Sequence, residues 1–573
     1  MKRTFTFTFL LFVAFQLTYA QTFNEIIGSE SGSPNAGENL IGARNVLIGD
    51  STGVSLTDDN GNIFIGYRAG RNNTTNQNIF IGENAGFTNM GGTDNVFIGA
   101  EAGRLNTASN NVFIGTEAGE NNTSGNENTF VGEEAGTNNT LGEQNTFLGA
   151  LTGFNNTTGK DNTFVGSQTG RNTTTGGGNT FLGADTETDF SNSLYPNFTV
   201  STGAAGEDNQ TGSLNTYIGA GAGLDSRAVN ANTFVGYAAG TNTENAGECT
   251  FVGAYAGWDN NRTGGVNQVR GFRNTYLGFA AGGLNQDGSD NVGIGHAADF
   301  MDLGNSTTEN MRNVFIGNST LIDEANDAVL IGHNGTIGNQ ANNSISIGSE
   351  TNMLGQNSVA VGYDADFAAV ADNAVGIGHQ VNVDGLQATA IGSNTVVSGT
   401  NSTAIGYQAN VAANNEIFLG NSSIASIGGV VNWTATSDGR FKKNVKENVI
   451  GLDFINQLRP VTYHYDAKKL HTQKGFETET LADALAEKEQ IRYSGFIAQE
   501  VEAAAKQLDY DFSGVDVPQY EGGIYGLRYA EFVVPLVKAV QELSAENKVQ
   551  ANIIAEQQAK IEQLEAQAKR MDK

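Results

Sequence analysis

A single cysteine, Cys249, stands among the 573 residues, so no intramolecular disulfide framework holds this fold. It occupies a place where sister segments of the chain carry Asn, which reads as a passive substitution. Positive charge is scarce as well. Lys160 is the only lysine between Gln21 and Thr436, and residues 1–436 hold 13 Lys+Arg against 39 Asp+Glu, a balance of −26 within a total of −30. Such an acidic body is a poor partner for nucleic acid or anionic membrane surfaces. Long apolar runs are missing beyond the N-terminus, which excludes a later membrane-spanning helix of about 20 apolar residues.

The start of the chain is different. Lys2 and Arg3 precede an apolar stretch from Phe5 to Val13, and Thr18-Tyr19-Ala20 stands before Gln21. This pattern predicts a secretory signal over residues 1–20 and an exported protein, secreted or at the cell surface.

What is abundant is glycine, at 75 residues, and much of it lies in a repeated phrase of the form N-T-F-I-G-x-x-A-G. An aliphatic residue followed by Gly recurs at 49, 66, 82, 99, 115, 132, 149, 166, 183, 219, 236, 253, 278, 295, 317, 332, 348, 362, 378, 392, 406 and 420. Short strands with turn residues on both sides, at a near-constant period, predict a parallel β-solenoid over residues 21–432. Stacked about 4.8 Å apart, such coils make a rod on the order of 100 Å long, a spacer or display geometry.

Strand side chains alternate between faces. The residue before each repeat Gly is Ile, Val or Leu, and two residues earlier comes Thr, Val, Ile or a small residue. These two columns share a face, expected to fill the coil, so the Thr column reads as interior rather than as an exposed threonine array. The opposite face then carries Phe or Tyr in 14 copies, among them Phe64, Phe97, Phe130, Tyr217 and Phe315. An exposed ladder of that size exceeds the apolar patch a soluble monomer tolerates. A neighbouring chain is expected to cover it, with the repeat's own connecting loop as the alternative. In later copies the column shrinks to Ser346, Ala360, Gly376, Ala390 and Ala404, which would permit closer approach between chains. Asn four residues before the Gly, as at Asn62 and Asn128, suits a ladder at the start of each strand.

Ser358-Val-Ala-Val-Gly362, Ala388-Thr-Ala-Ile-Gly392 and Ser402-Thr-Ala-Ile-Gly406 resemble the head repeats of trimeric autotransporter adhesins. The resemblance implies a homotrimeric β-roll. The chain departs from that family at its C-terminus, which is a polar helix rather than the alternating strands of an outer-membrane anchor.

Interruptions of the period are where ligands are sought on a solenoid. Val200 to Gly206 reads as a worn copy centred on Thr202, and the stretch between Gly253 and Gly278 gathers Trp258, Arg262, Arg270, Phe272 and Arg273. That second loop is a candidate site for a surface glycan or a carboxylate-bearing or protein ligand, with packing on its own coil as the plain alternative. His296, His333 and His379 each follow a repeat Gly. They lie coils apart, so no metal site and no cofactor is expected.

Near Trp433 the composition changes, and residues 437–573 carry 18 Lys+Arg, 22 Asp+Glu and only eight glycines. The pattern predicts a small α+β domain over 433–545: a helix at Leu452–Leu458, strands at Val461–Tyr465 and Tyr493–Ile497, and a helix to Leu508. A long helix from about Tyr529 ends in a coiled coil over 546–573. Val540, Asn547, Ile554, Ile561 and Ala568 form one heptad column, and Leu543, Gln550, Gln557, Leu564 and Met571 the other. Pro535 belongs near the start of this helix or kinks it.

Thr436-Ser437-Asp438-Gly439-Arg440-Phe441-Lys442-Lys443-Asn444, Gly495-Phe496-Ile497-Ala498-Gln499-Glu500-Val501 and the segment from Tyr525 into Glu542 resemble, in order and spacing, the intramolecular chaperone auto-processing domain at the ends of phage tailspikes, endosialidases and some exported fibres. The resemblance implies a domain that trimerises a fibre, assists its folding and then cuts itself off through a Ser-Lys dyad. Carried over, Ser437 is the nucleophile, Lys442 the general base, and the bond Thr436–Ser437 the one cut, with Asp438, Arg440 and Asn444 as supporting motif and Lys443 as a weaker candidate base. A serine hydroxyl needs such a base, and a lysine serves only when burial or nearby cations oppose its charge. Because Phe441 lies between the pair, their meeting is expected only in the assembled domain. A plain Ser-Asp turn and a retained, uncleaved trimeric cap remain the competing readings.

Overall fold

The computed structural model describes residues 24–28, 42–185, 190–191, 199–200, 203–260, 270–301, 310–431, 433–473, 479–518 and 523–571. The expected signal segment lies outside the described residues. The chain divides into two compact units, residues 1–403 and 404–573.

The repeats form a parallel β-solenoid of about 21 turns. A strand of three or five residues carries each repeat Gly at or next to its end, from Val46–Ile48 to Ile417–Leu419. Neighbouring strands pair in parallel and in strict register, with Ile63, Phe64 and Ile65 opposite Ile79, Phe80 and Ile81, and those opposite Val96, Phe97 and Ile98.

The strand faces are the reverse of the expectation. Every aromatic from Phe64 through Tyr276 in the central column is fully buried, whereas the flanking columns are half-buried or exposed: Thr146 and Leu148 both face water around buried Phe147. The Phe column is therefore the core, and the Thr and aliphatic columns are the outside. The rings stack along the solenoid 4.8 Å apart from Phe64 to Phe80 to Phe97, nearly parallel. The physical cause lies in the Ala-Gly that closes each phrase. Ala69 and Ala85 are fully buried, and a Cβ added at Gly70 or Gly86 would strike the Phe64 or Phe80 ring. The repeat's own turn thus covers the aromatic, and no neighbouring chain is needed there.

The shrinking of this column has the same explanation. From Asp299–Phe300 onward each coil gains a second strand, such as Asp366–Phe367 and Asn382–Val383, whose Phe367 and Val383 are fully buried. Ala360, Gly376 and Ala390 make room for them inside the coil rather than for another chain, since a Cβ on Gly376 would meet the Phe367 ring.

Thr202, the centre of the expected worn copy, lies outside the described residues. The strand Thr180–Leu182 pairs directly with Thr216–Ile218, and Gly206 packs on Phe181 as Gly70 does on Phe64. The long gap is one coil with an insertion, in which Phe190–Ser191 pairs antiparallel with Thr199–Val200. Elsewhere a buried asparagine ladder locks the register, each side chain accepting from the next Asn backbone N–H, as Asn45 does from Asn62 and Asn62 from Asn78 at 2.9 Å. Cys249 keeps this bond through its own N–H to Asn232 at 2.9 Å, and burial pushes its thiol up to about 12.

Burial, together with the neighbouring Asp208, pushes Asp225 up to about 6. A carboxyl whose folded pKa is raised contributes stability below its ordinary value near 4 and loses it as pH climbs to the folded value. The solenoid is therefore expected to lose thermal stability between about pH 4 and pH 6. Asp225→Asn is expected to raise the melting temperature at pH 7 and leave it unchanged at pH 4, read by calorimetry.

In the unit 404–573, the helices Leu452–Gln457 and Ala498–Gln507 and the turn Tyr529–Phe532 enclose a core of Phe454, Val501, Ala504, Ala505 and Phe532. Val461–Tyr463 and Tyr493–Gly495 pair antiparallel. The last helix, Val533–Met571, carries Pro535 in its first turn, where a missing N–H costs nothing.

Candidate functional site

The segment around Ser437 is local in construction. Asp438 accepts from the backbone N–H of Arg440 at 2.9 Å and so caps a single 3-10 turn, Gly439–Phe441. The same carboxylate takes two bonds from the Arg440 guanidinium, from Nε at 2.9 Å and from an Nη at 2.6 Å. That cation holds the Asp438 carboxyl below the usual carboxylate range. One such turn reverses the chain by five residues, and Lys442 Nζ donates to Ser437 Oγ at 2.8 Å.

Phe441 therefore does not separate the pair, as it was expected to in an isolated chain. It is the third residue of the turn, its side chain out in solvent at 77% exposure. Asn444 takes a left-handed backbone conformation (φ 53°) and ends the motif. Thr436, Ser437 and Lys442 are all exposed. Beyond the motif, Leu452 N–H donates to Glu542 Oε2 at 2.7 Å, and Phe496 N–H donates to Tyr529 Oη at 3.1 Å. The first ties the helix Leu452–Gln457 to the last helix, and the second ties the residue after the strand Tyr493–Gly495 to the turn Tyr529–Phe532. Sequence reasoning matched Tyr529 and Glu542 as motif members without seeing what they hold.

Residues 437–510 match the family model for the chaperone of endosialidase, peptidase S74. That match begins at Ser437, the residue whose Oγ accepts from Lys442. Upstream, residues 340–365, 369–395, 384–409 and 398–415 match the YadA head domain repeat, the part of the solenoid where each coil has two strands. No curated protein matches the chain.

Among the described residues, the side chains of the candidate ligand loop pack or pair within the solenoid. Trp258 is 3% exposed and packs with Ala238, Tyr255 and Ala280. Arg270 pairs with Asp287 at 3.0 Å, and Arg273 with Asp290 on the next coil at 2.6 Å. Phe272 is half-buried, its N–H donating to Ser289 Oγ at 3.1 Å, and Arg262 lies outside the described residues. Two of the three repeat histidines stack on an aromatic of the preceding coil, His296 on Phe279 and His379 on Tyr363, both at 5.3 Å. Among the described residues no helix is long and apolar enough to cross a membrane.

Proposed function

We propose that this chain is an exported, trimeric, adhesin-like β-solenoid fibre. Its C-terminal domain assists trimerisation and folding and then cuts itself off between Thr436 and Ser437. In this reading the fibre spans residues 21–432, the chaperone 433–545 and a coiled coil 546–573. The observation that carries it is the 2.8 Å bond from Lys442 to Ser437 at the head of the chaperone-of-endosialidase match. Trimerisation is supported by that match and by the last helix, where Val540, Ile554, Ile561 and Leu564 of the heptad columns stand 49–64% exposed, a seam that copies of the same helix would close.

In the reaction, neutral Lys442 takes the Ser437 hydroxyl proton as Oγ attacks the Thr436 carbonyl carbon. Lys442 then hands that proton to the Ser437 nitrogen, which leaves as a free amine, and the Thr436 acyl group passes to Oγ as an ester. Water then cleaves the ester, giving a Thr436 carboxylate and restoring the hydroxyl. A lysine serves as general base only where burial or nearby cations oppose its charge, and in this reading trimer assembly supplies that setting for Lys442, with Arg440, Lys443 and Lys446 as its neighbours in sequence. Cleavage then reports correct assembly. The exposure of both dyad members in the single chain also favours a second reading, a cap that stays attached.

Denaturing mass spectrometry of the full-length protein beside Ser437→Ala tests the proposal. A break between Thr436 and Ser437 in the first alone is expected. An intact chain in both overturns self-cleavage and leaves the retained cap.

A further inference from the structure

The dyad lies on an exposed arm. From Trp433 to Asn448 every residue but Asp438 is exposed, and the bonds that shape the turn, Arg440 to Asp438 and Lys442 to Ser437, run within it. The chain is first held where it enters the domain. Ile450 packs against the core of Phe454 and Phe532, and Gly451 is buried.

Gly451 has no side chain with which to cap the helix Leu452–Gln457 that follows it, so the opening N–H groups of that helix need an acceptor from elsewhere. Glu542 supplies one from 90 residues away, its Oε2 accepting from Leu452 N–H at 2.7 Å. A carboxylate suits this end of a helix, where the backbone dipoles present positive charge. The fit is close: a Cβ on Gly451 would strike Glu542 Oε2 and the backbone of Lys538 and Ala539.

Pro535 and Ala539 are the buried residues of the last helix, and Glu542 continues their row at the i, i+4, i+7 spacing of one helix face. Val540 and Leu543, which head the two heptad columns, lie on another face and are 60% and 47% exposed. One helix therefore carries the seam for copies of itself and, separately, the hold on the arm of its own chain.

We propose that Glu542 is a positioning residue for self-cleavage. It fixes the point from which the Ser437–Lys442 turn is presented, so that closing the helix seam sets the dyad in one place. The proposal rests on the self-cleaving, trimeric reading. Glu542 acts through Leu452 and touches no reacting atom.

The test follows the cut over time in full-length protein made by cell-free synthesis, with light scattering on Ser437→Ala versions of each variant to read the trimer. Glu542→Ala trimers are expected to be cut about 10²-fold more slowly, the scale of a slightly misplaced reacting pair. Glu542→Gln keeps an acceptor oxygen at the same reach and is expected to be cut near the wild-type rate. Glu542→Asp keeps the charge but falls one methylene short, and is expected to be slow. Trimeric Glu542→Ala cut at the wild-type rate overturns the positioning role and leaves self-cleavage standing. If Glu542→Ala does not trimerise, equal rates for Glu542→Gln and Glu542→Asp overturn it, and loss of the trimer in all three makes Glu542 a residue of the fold alone and overturns it too. A wild-type chain that is never cut sinks the self-cleaving reading, and this role with it.

Discussion

Lys442→Ala chains are expected to stay intact between Thr436 and Ser437, and to stay intact even when co-expressed with Ser437→Ala chains. General-base catalysis contributes roughly 10²–10⁴-fold, so losing the amine slows the first step by that factor and the full-length band persists in denaturing mass spectra. The mixing experiment draws on geometry. The turn capped by Asp438 places Lys442 Nζ 2.8 Å from Ser437 Oγ of the same chain. In a mixed trimer every chain lacks one member of its own pair, so none is cut. Restored cleavage of the Lys442→Ala chain would show that the base comes from a neighbour, and would overturn the intrachain dyad while leaving self-cleavage in place. Wild-type chains in the same preparation supply the control for assembly.

Phe130→Ala is expected to destabilise the solenoid by about 3–5 kcal/mol, the usual range for removing a buried phenylalanine. Phe130 is fully buried, and its ring stacks on Phe113 at 4.8 Å and on Phe147 at 4.7 Å, so truncation opens a gap in a continuous column that the flanking rungs, fixed by backbone pairing, cannot close. Thr129→Ala, on the half-buried outer column, is expected to change stability by well under 1 kcal/mol. Calorimetry on both variants reads the difference. Equal effects at the two positions would contradict the inside-out assignment of the strand.

The period of the repeat and the residue types around each glycine determined a parallel solenoid without help from the structure. A three-residue strand between turns has no other way to bury apolar side chains than to stack on its own copies. A break in glycine and lysine use near Trp433 was equally legible, as were the first helix, the paired strands, the helix to about Leu508 and the long last helix beyond it, whereas the helices Ala467–Gln473 and Ala482–Glu489 and the strand pair Val515–Asp516 and Gly526–Leu527 were not foreseen. The pairing of Ser437 with Lys442 came from the resemblance to the chaperone auto-processing domain, not from composition or spacing.

Tertiary structure decided which side of the strand is the core. Ile63-Phe64-Ile65 is apolar on both faces, so alternation by itself is silent on the choice. The turn settles it: Ala69 and Gly70 are the residues small enough to let the chain close over a ring, and that signal was present in the phrase without its meaning being apparent until the coil was closed. The same holds for the dyad. Spacing told of two residues five apart. A 3-10 turn, held by one aspartate that bonds both the backbone N–H and the guanidinium of Arg440, is what brings a serine and a lysine into contact within a single chain.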